Sequence, residues 1–441
     1  MYEQLNIFDL TLPKFEIDKP IRLIELFAGI GSQAMAMRDL GAEFEHYRVV
    51  EFDKYAIKSY NAIHGTDFPT MDIRKVNGAD LGISDTDKYC YIMTYSFPCQ
   101  DLSVAGKQKG MAKGSGTRSG LLWEVERLLN EVDNLPQVLI MENVPQVHSS
   151  DNVEDFRKWV DFLESKGYSN YWQDLNAKDY GVGQNRERCF MVSILGEWNY
   201  KFPLPTLLDK TMKDYLENEV DEKYYINTEK SQKLIDDLIK NGNYCGCVGN
   251  INPSGKGING NVYAGELSPT ITTNKGEGAK IFIENQVKQI GNISDSGNWD
   301  NPQAGRIYAS DGLCPTINTC QGGQREPKTI VAMRGRNPEK PSDRTAGSPT
   351  EQRLEPNTQG LCNTLTSVQK DNLVMEINTN YRIRKLIPLE CWRLMGFTDD
   401  DFRKAESVNS NAQLYKQAGN SIVKNVLMMI FRQMLPQKAN A

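Results

Sequence analysis

Histidine is scarce in this sequence, since the 441 residues include only His46, His64 and His148. Enzymes that rely on a histidine base need one beside the reacting atoms, so acid–base work is expected from carboxylates or from a cofactor. No apolar run reaches the roughly 20 residues that span a bilayer, and residues 1–9 lack the basic and apolar regions of a secretory signal. The sequence therefore predicts a cytoplasmic protein that does not enter a membrane.

The nine cysteines are scattered, without the spacing of a disulfide framework, which fits a reducing compartment. Cys245 and Cys247 are the only close pair, and no further ligand types accompany them, so no metal site is predicted. Excess positive charge is also lacking, and a net charge of −6 argues mildly against a nucleic-acid partner. Basic residues are nevertheless concentrated in residues 99–120 and 381–393, so the total charge is a weak guide.

The first apolar run, Ile21–Phe27, passes through a glycine-containing turn into a helix-like segment. Gly29 and Gly31 let a ligand approach the backbone, as in nucleotide-binding α/β units, although ordinary tight turns use the same pair. Glu51 ends the next strand about twenty residues later, where an acid can bind ribose hydroxyls. Asp72 is expected to end a further strand. The pattern indicates an adenosine-containing cofactor without a phosphate tail, because a pyrophosphate would favour a cation.

Cys99 follows the apolar run Tyr91–Tyr95 and begins a long glycine-rich loop. In open α/β sheets, ligands bind at the carboxyl ends of the strands. A cysteine in that place is a candidate nucleophile, because thiolate is the most reactive of the common side-chain nucleophiles. The alternative is a buried structural cysteine, which is the commoner role for this residue type.

Glu142 ends another apolar strand and shares an edge with Cys99 if the two strands are parallel. A site role and a surface or helix-capping role are both consistent with its position. Arg186 and Arg188 alternate along a strand and therefore point to the same side, where they suit contact with an anion. Their alternative is a surface ion pair with the intervening glutamate.

In order along the chain, these segments resemble the motifs of the DNA cytosine-5 methyltransferases. The match covers roughly residues 21–195 and 382–430, and several motifs in one order form a specific signal. The matching segments are Phe27–Gly31, Pro98–Gln100 with Gly106–Gly110, Glu142–Val144, Gln184–Arg188, Arg384–Phe397 and Gln417–Val423. The resemblance implies an α/β fold with a doubly wound, mostly parallel, Rossmann-like sheet and a smaller β-rich insert domain.

The same resemblance implies a methyl transfer from S-adenosyl-methionine to carbon 5 of a cytosine that is flipped out of double-stranded DNA. Cys99 would add to carbon 6 of the base, and Glu142 would act at ring nitrogen 3. Arg188 would hold the carbonyl oxygen at carbon 2, and Arg186 would lie near the thiol or a phosphate. The implied cofactor contacts are Phe27, Ala28, Gly29, Gly31, Glu51, Asp72, Ile73, Pro98, Leu121, Asn420 and Ser421.

The implied contacts with DNA lie in two places. In the loop 100–118, Gln100 would fill the space left by the flipped base and Ser103 would touch phosphate. In the insert, Arg334 and Arg336 are the first candidates for a guanine or phosphate contact. The predicted domains are a catalytic and cofactor-binding domain, a target-recognition domain, and a segment that completes the first domain. Their limits are residues 1–200, 201–377 and 378–441.

The insert contains an internal repeat. Similar segments begin at Ser268, Cys314 and Cys362, at offsets of 46 and 48 residues, and a short apolar run follows each of them. Such a period, with many Gly, Asn and Thr residues, favours stacked β units.

Two other functions are consistent with the motifs. Methylation of cytosine in RNA is one, and a catalytically silent DNA-binding module is the other, although the intact Cys99 and Glu142 argue against the latter. We expect a bacterial or phage type of enzyme that acts as a monomer on nucleoid DNA. The sequence leaves open the recognition site and the presence of a cognate restriction endonuclease that acts separately.

Overall fold

The computed structural model describes residues 12–102, 110–206, 212–226 and 382–436 without interruption, together with residue 210 and short segments between 228 and 354. The chain divides into two compact units. The first unit consists of Met1–Tyr224, Leu238–Ile281 and Lys385–Ala441, and the second of Tyr225–Asp237 and Phe282–Arg384. The predicted domain limits remain a prediction. Within the described residues, no helix has both the length and the apolar character needed to cross a bilayer.

A six-stranded sheet forms the centre of the first unit. Its strands are β1 (Ile21–Leu26), β2 (Phe44–Val50), β3 (Cys90–Tyr95), β4 (Val138–Asn143), β5 (Tyr168–Asn176) and β6 (Glu187–Leu195). They lie in the order β2-β1-β3-β4-β6-β5, with parallel pairing from β2 to β4. β6 is antiparallel to both of its neighbours. The predicted α/β fold with a mostly parallel sheet is therefore confirmed.

Helices cover this sheet and follow its strands along the chain. They are α1 (Ser32–Asp39), α2 (Lys54–His64), α3 (Leu122–Glu131) and α4 (Val153–Ser165). In α4 the buried residues are Phe156, Trp159, Val160 and Leu163, which recur at the spacing of one helical face. β3 and β4 are buried at every position, as expected for strands that are covered on both sides of a sheet.

The chain returns to the first unit after the insert. Between residues 382 and 436 the structure describes four helices, namely α5 (Pro388–Arg393), α6 (Asp399–Glu406), α7 (Asn411–Asn420) and α8 (Lys424–Arg432). The guanidinium of Arg38 in α1 donates to both carboxylate oxygens of the fully buried Asp401, at 2.6 and 2.9 Å. Lys416 in α7 pairs with Asp53, the residue that caps α2, at 2.6 Å. These ion pairs fix the C-terminal helices beside α1 and α2.

Every regular element described between residues 246 and 385 is a strand, in agreement with the predicted β-rich insert. In the first unit, β7 (Gly246–Asn250) pairs antiparallel with β8 (Asn261–Ala264), and β8 pairs parallel with the start of β9 (Lys280–Ile283). The second unit contains the antiparallel pairs β10 (Gln289–Asn292) with β11 (Arg306–Tyr308) and β12 (Met333–Arg336) with β13 (Glu351–Leu354). It also contains the first three residues of β14 (Arg382–Lys385). The repeated segments that begin at Ser268, Cys314 and Cys362 lie outside the described residues.

Short 3-10 turns connect several of these elements. They are Ile73–Lys75, Gly78–Leu81, Ser119–Leu121, Pro145–His148, Ala177–Tyr180, Met212–Tyr215 and Glu222–Tyr224.

Candidate active site

The carboxyl ends of the four parallel strands form one edge of the sheet, and most of the predicted site residues collect there. β2 lies on one side of β1 and β3 lies on the other, so the winding of the chain reverses between β1 and β3. A ligand crevice is expected outside such a switch point. The glycine turn follows β1, and Cys99 follows β3. The topology thus places both sequence signals at the position where an α/β sheet binds ligands.

Two buried side chains hold the backbone that presents Cys99. Asn143, the last residue of β4, donates from Nδ2 to the carbonyl oxygen of Phe97 at 3.0 Å. The Ser119 hydroxyl donates to the carbonyl oxygen of Pro98 at 2.6 Å. Both side chains are at most 2% exposed. The half-buried Cys99 thus stands on a fixed backbone, and neither Asn143 nor Ser119 was among the predicted site residues.

Glu142, Arg188 and Cys99 form a charge cluster at this edge. The Glu142 Oε1 lies 3.3 Å from the Arg188 Nε. Burial raises the pKa of the Glu142 carboxyl, while the positive charges of Arg188 and Arg186 lower it. Burial also raises the pKa of the Cys99 thiol, and the charge of Glu142 raises it further. The thiol and the carboxyl therefore hold their protons more strongly than exposed groups would.

The parallel pairing of β3 and β4 brings Cys99 and Glu142 to a common edge, as the sequence predicted for parallel strands. The two positive charges beside them can stabilise negative charge that develops on a bound ligand.

Arg186 is buried and joins the C-terminal segment to the same cluster. Its Nη2 donates to the carbonyl oxygens of Gly419, at 3.1 Å, and Ser421, at 2.8 Å. Burial lowers the pKa of Arg186 to about 9, and the charge of Arg188 lowers it further. Arg186 precedes β6, so the expectation that both arginines alternate along a strand is wrong for this residue. Its charge nevertheless acts on Cys99.

The glycine turn after β1 leaves space above its backbone. Phe27 and Gly29 have φ values of 57° and 58°, in the left-handed region that glycine adopts easily. A Cβ on Gly29 would meet no atom within 4 Å, whereas the neighbouring Ala28 is buried. A Cβ on Gly31 would lie 2.4 Å from the His64 Nε2. Gly29 therefore faces open space, and Gly31 permits the close packing of α1 on α2.

Glu51 is fixed beside this turn. Its Oε2 accepts from the N–H of Gly29 at 2.8 Å, and its Oε1 accepts from the N–H of Asp53 at 2.7 Å. Burial raises the pKa of Glu51, and these backbone hydrogen bonds lower it. Each carboxylate oxygen keeps a further lone pair for a ligand hydroxyl. The next residue, Phe52, is 73% exposed and was missed, although an aromatic residue directly after a strand-ending acid is visible in the sequence.

Asp72 does not end a strand, so that expectation is wrong. It caps the 3-10 turn that begins at the buried Ile73, and its carboxylate pairs with the Arg74 guanidinium at 2.6 Å. The hydrogen bond to Arg74 lowers the pKa of Asp72. The N–H of Met71 donates to the carbonyl oxygen of Glu51 at 2.8 Å. This backbone contact places the Asp72 segment next to Glu51 despite the absence of a strand.

The remaining predicted cofactor contacts come from separate elements. Leu121 is half-buried at the start of α3, and Pro98 is half-buried before Cys99. Asn420 is exposed at the end of α7. Ser421 is buried, and its hydroxyl donates to the carbonyl oxygen of Gln417 at 2.7 Å.

Among the predicted DNA contacts, Gln100 is exposed and its Oε1 accepts from the Arg118 Nη1 at 2.6 Å. Ser103 lies outside the described residues. Arg334 and Arg336 lie in β12, whose backbone pairs with β13, and their side chains are outside the description.

Known proteins of similar sequence agree with the resemblance that the motifs indicated. A family model described as C-5 cytosine-specific DNA methylase matches residues 21–436. The orphan methyltransferase M.SPRI of Bacillus phage SPR is 34% identical to this chain, over 94% of this chain and 97% of that protein. The type II methyltransferase M2.ScrFI of Lactococcus lactis subsp. cremoris is 28% identical, over 94% and 99%.

Two solved structures are similar in fold. The Entamoeba histolytica methyltransferase EhMeth has a TM-score of 0.56 and 16% identity, over 94% of this chain and 98% of that chain. The S. pombe Dnmt2 methyltransferase has a TM-score of 0.51 and 19% identity, over 94% and 97%. At these identities the likeness concerns the fold alone.

Proposed function

Because this chain belongs to the C-5 cytosine-specific DNA methylase family, we propose that it methylates a flipped-out cytosine in duplex DNA through a covalent bond to Cys99. The observation that carries the proposal is the cluster at the carboxyl edge. There a half-buried thiol on a fixed backbone stands beside a buried carboxyl and two arginines. Such a cluster suits the addition of a nucleophile to an aromatic ring, since the ring must take up negative charge.

The family uses S-adenosyl-methionine as its methyl donor, which supplies an electrophilic methyl group. The residues at the switch point fit this molecule. Space lies over Gly29, where a Cβ would meet nothing, and the fixed Glu51 carboxylate beside it suits the ribose hydroxyls. The exposed ring of Phe52 offers an apolar face for the adenine. Asp72 and Ile73, on the adjoining turn, are proposed to contact the adenine edge, and Leu121 and Asn420 to close the pocket.

Cys99 performs the first chemical step in this proposal. Its thiol loses a proton, and the sulfur forms a bond to carbon 6 of the cytosine. The ring then ceases to be aromatic, and carbon 5 becomes nucleophilic enough to take up a methyl group. After the transfer, a water molecule takes the proton from carbon 5 and the bond from carbon 6 to sulfur breaks. Ring nitrogen 3 returns its proton to Glu142, which restores the aromatic ring, the Cys99 thiolate and the carboxyl group.

Glu142 and Arg188 act on the polar edge of the base. Burial favours the protonated form of Glu142 by raising its pKa, and that form can give its proton to ring nitrogen 3 when the sulfur adds. A neutral Glu142 also removes the negative charge that opposes a thiolate at Cys99. Arg188 is proposed to hold the carbonyl oxygen at carbon 2. Arg186 donates to the backbone carbonyl groups of Gly419 and Ser421 and thereby connects the C-terminal segment to the active site. It also adds positive charge there.

A base inside a stacked duplex cannot reach Cys99, so the target must leave the helix. The loop 100–118 begins at the catalytic cysteine and is proposed to cover the base. Gln100, held by Arg118, is proposed to occupy the vacated space, and Ser103 to contact phosphate.

The function is tested by an assay with labelled S-adenosyl-methionine on duplex DNA and on tRNA. We expect label in the DNA, in a form that digestion identifies as 5-methylcytosine. Label in tRNA alone would assign the chain to the RNA-methylating alternative. Absence of label from both substrates, with binding to DNA retained, would mark it as a catalytically silent DNA-binding module.

We propose further that the insert, residues 201–377, selects the DNA sequence. Phosphate contacts position a protein on DNA, whereas base-edge contacts specify the sequence, and a cysteine with a cofactor cannot distinguish flanking bases. Arg334 and Arg336 in β12 are the first candidates for such contacts. Relatives named orphan and type II both match the chain, so its genomic neighbourhood must show whether an endonuclease accompanies it.

Exchange of residues 201–377 for the corresponding segment of the SPR phage relative tests this role. We expect the chimera to methylate the sites of the donor, as read by bisulfite sequencing of DNA from cells that express it. The reciprocal chimera is the control and should acquire the sites of this protein. An active chimera that kept the sites of its recipient would place specificity outside the insert, with the loop 100–118 as the next candidate.

A further inference from the structure

His148, Asp174 and Cys189 form a compact cluster that the proposed reaction does not use. They come from three segments, namely the 3-10 turn Pro145–His148, β5 and β6. The imidazole nitrogen, carboxylate oxygen and sulfur that could act as ligands all lie within 4.8 Å of one another. The His148 Nε2 lies 3.0 and 3.1 Å from the two carboxylate oxygens of Asp174.

The fold places these three side chains together. Asp174 and Cys189 stand directly opposite each other in the antiparallel pairing of β5 with β6. Opposite residues of such a pair have Cβ atoms about 4.5–5.5 Å apart, on the same side of the sheet. His148 follows the fully buried Val147, and its ring lies 6.0 Å from that of Phe156 in α4. Strand pairing and packing within the first unit therefore hold the three side chains in place.

The types of the three ligand atoms indicate which metal ion the cluster would bind. A nitrogen, an oxygen and a sulfur form the mixed set that suits Zn²⁺, whereas Mg²⁺ and Ca²⁺ take oxygen ligands. Bonds of about 2.0–2.3 Å to zinc require only a small contraction of the present cluster. His148 and Asp174 are 32% and 31% exposed, so an ion can reach these two ligands from solvent, whereas Cys189 is fully buried. Three protein ligands leave a fourth, tetrahedral position for a water molecule.

We propose that His148, Asp174 and Cys189 bind one zinc ion that ties the β5–β6 hairpin to the segment after β4. On binding, the Cys189 thiol gives its proton to solvent and the sulfur bonds to the ion. The Asp174 carboxylate and the unprotonated Nε2 of His148 complete the protein ligands in place of their present contact. Cys189 directly follows Arg188 and pairs with Asn143 in β4, so the ion would brace the strands behind the proposed active site. This inference does not depend on the proposed reaction.

The test uses the full chain without a polyhistidine tag, freed of metal by a chelator. Calorimetric titration with zinc chloride is expected to show one equivalent bound, with proton release that appears as a dependence of the heat on the buffer. Titration with cobalt chloride is expected to produce the charge-transfer band of a cobalt–thiolate bond. Zinc should also raise the melting temperature, because the ion binds the folded chain.

Three ligand variants and one control make the assignment specific. His148→Gln, Asp174→Asn and Cys189→Ser should each weaken zinc binding at least tenfold, and Cys189→Ser should abolish the cobalt–thiolate band. Cys247→Ser removes an exposed cysteine outside the cluster and should change neither result. Zinc affinity and a cobalt band that persist in the folded His148→Gln and Asp174→Asn variants would overturn the proposal, even if Cys189→Ser failed to fold. Loss of zinc binding in Cys247→Ser alone would also overturn it.

Discussion

Cys99→Ser should reduce methyl transfer by roughly 10⁴-fold or more while leaving the affinity for S-adenosyl-methionine within about twofold. A serine hydroxyl is far less nucleophilic than a thiolate at neutral pH, and the substitution changes neither Gly29 nor Glu51 at the proposed cofactor site. Initial rates with labelled cofactor and duplex DNA measure the first effect, and calorimetry without DNA measures the second. Cys247→Ser, at an exposed cysteine distant in sequence, is the matched control and should retain full activity.

The covalent bond itself can be trapped with DNA that carries 5-fluorocytosine at the target position. Fluorine cannot leave carbon 5 as a proton does, so the elimination stops with the base still bonded to sulfur. We expect the intact protein mass to increase by that of the DNA strand and the transferred methyl group, and the labelled peptide to contain Cys99. A Cys99→Ser protein that kept near-wild-type turnover would refute the covalent mechanism.

Glu142→Gln should lower kcat/KM by about 10²–10⁴-fold and alter its dependence on pH. The reactive form of the wild-type site has a deprotonated Cys99 and a protonated Glu142. Between the two pKa values, the fraction of protein in the reactive form does not depend on pH. In this range the major form has a protonated thiol and a charged carboxylate, and moving one proton from the sulfur to the carboxylate gives the reactive form without release of a proton. Below the raised pKa of Glu142 the fraction falls as the thiolate is protonated, and above the pKa of Cys99 it falls as Glu142 loses its proton.

A glutamine cannot release a proton, so the variant should lose the plateau. Its kcat/KM should rise about tenfold per pH unit up to the pKa of Cys99, because only the thiolate fraction then varies. Glu187→Gln removes an exposed carboxylate beside Arg188 and should keep the wild-type profile. A Glu142→Gln protein with weaker DNA binding, but an unchanged plateau, would identify Glu142 as a structural residue.

Local patterns predicted most of the large elements of the first unit. The apolar runs of β1, β3 and β4 are continuous because both sides of these strands are covered. The apolar residues of α4 follow one helical face, which is a local pattern typical of a helix packed on a sheet. The prediction that Asp72 ends a strand was wrong, because a short apolar run with an acid is equally compatible with a capped 3-10 turn. A hydrogen bond from Met71 to Glu51 decides its position, and no local pattern encodes that contact.

The sequence by itself determined which residue types stand at the ends of the strands, because side-chain chemistry and hydrophobic periodicity are local properties. It thereby predicted that Cys99 and Glu142 would share an edge once the strands were parallel. Only the tertiary structure decided how that edge is built. Asn143 holds the carbonyl group of Phe97, and Arg186 binds carbonyl groups 233 and 235 residues further along the chain. Contacts of such separation depend on how the whole chain packs, so they have no signature in the neighbouring residues.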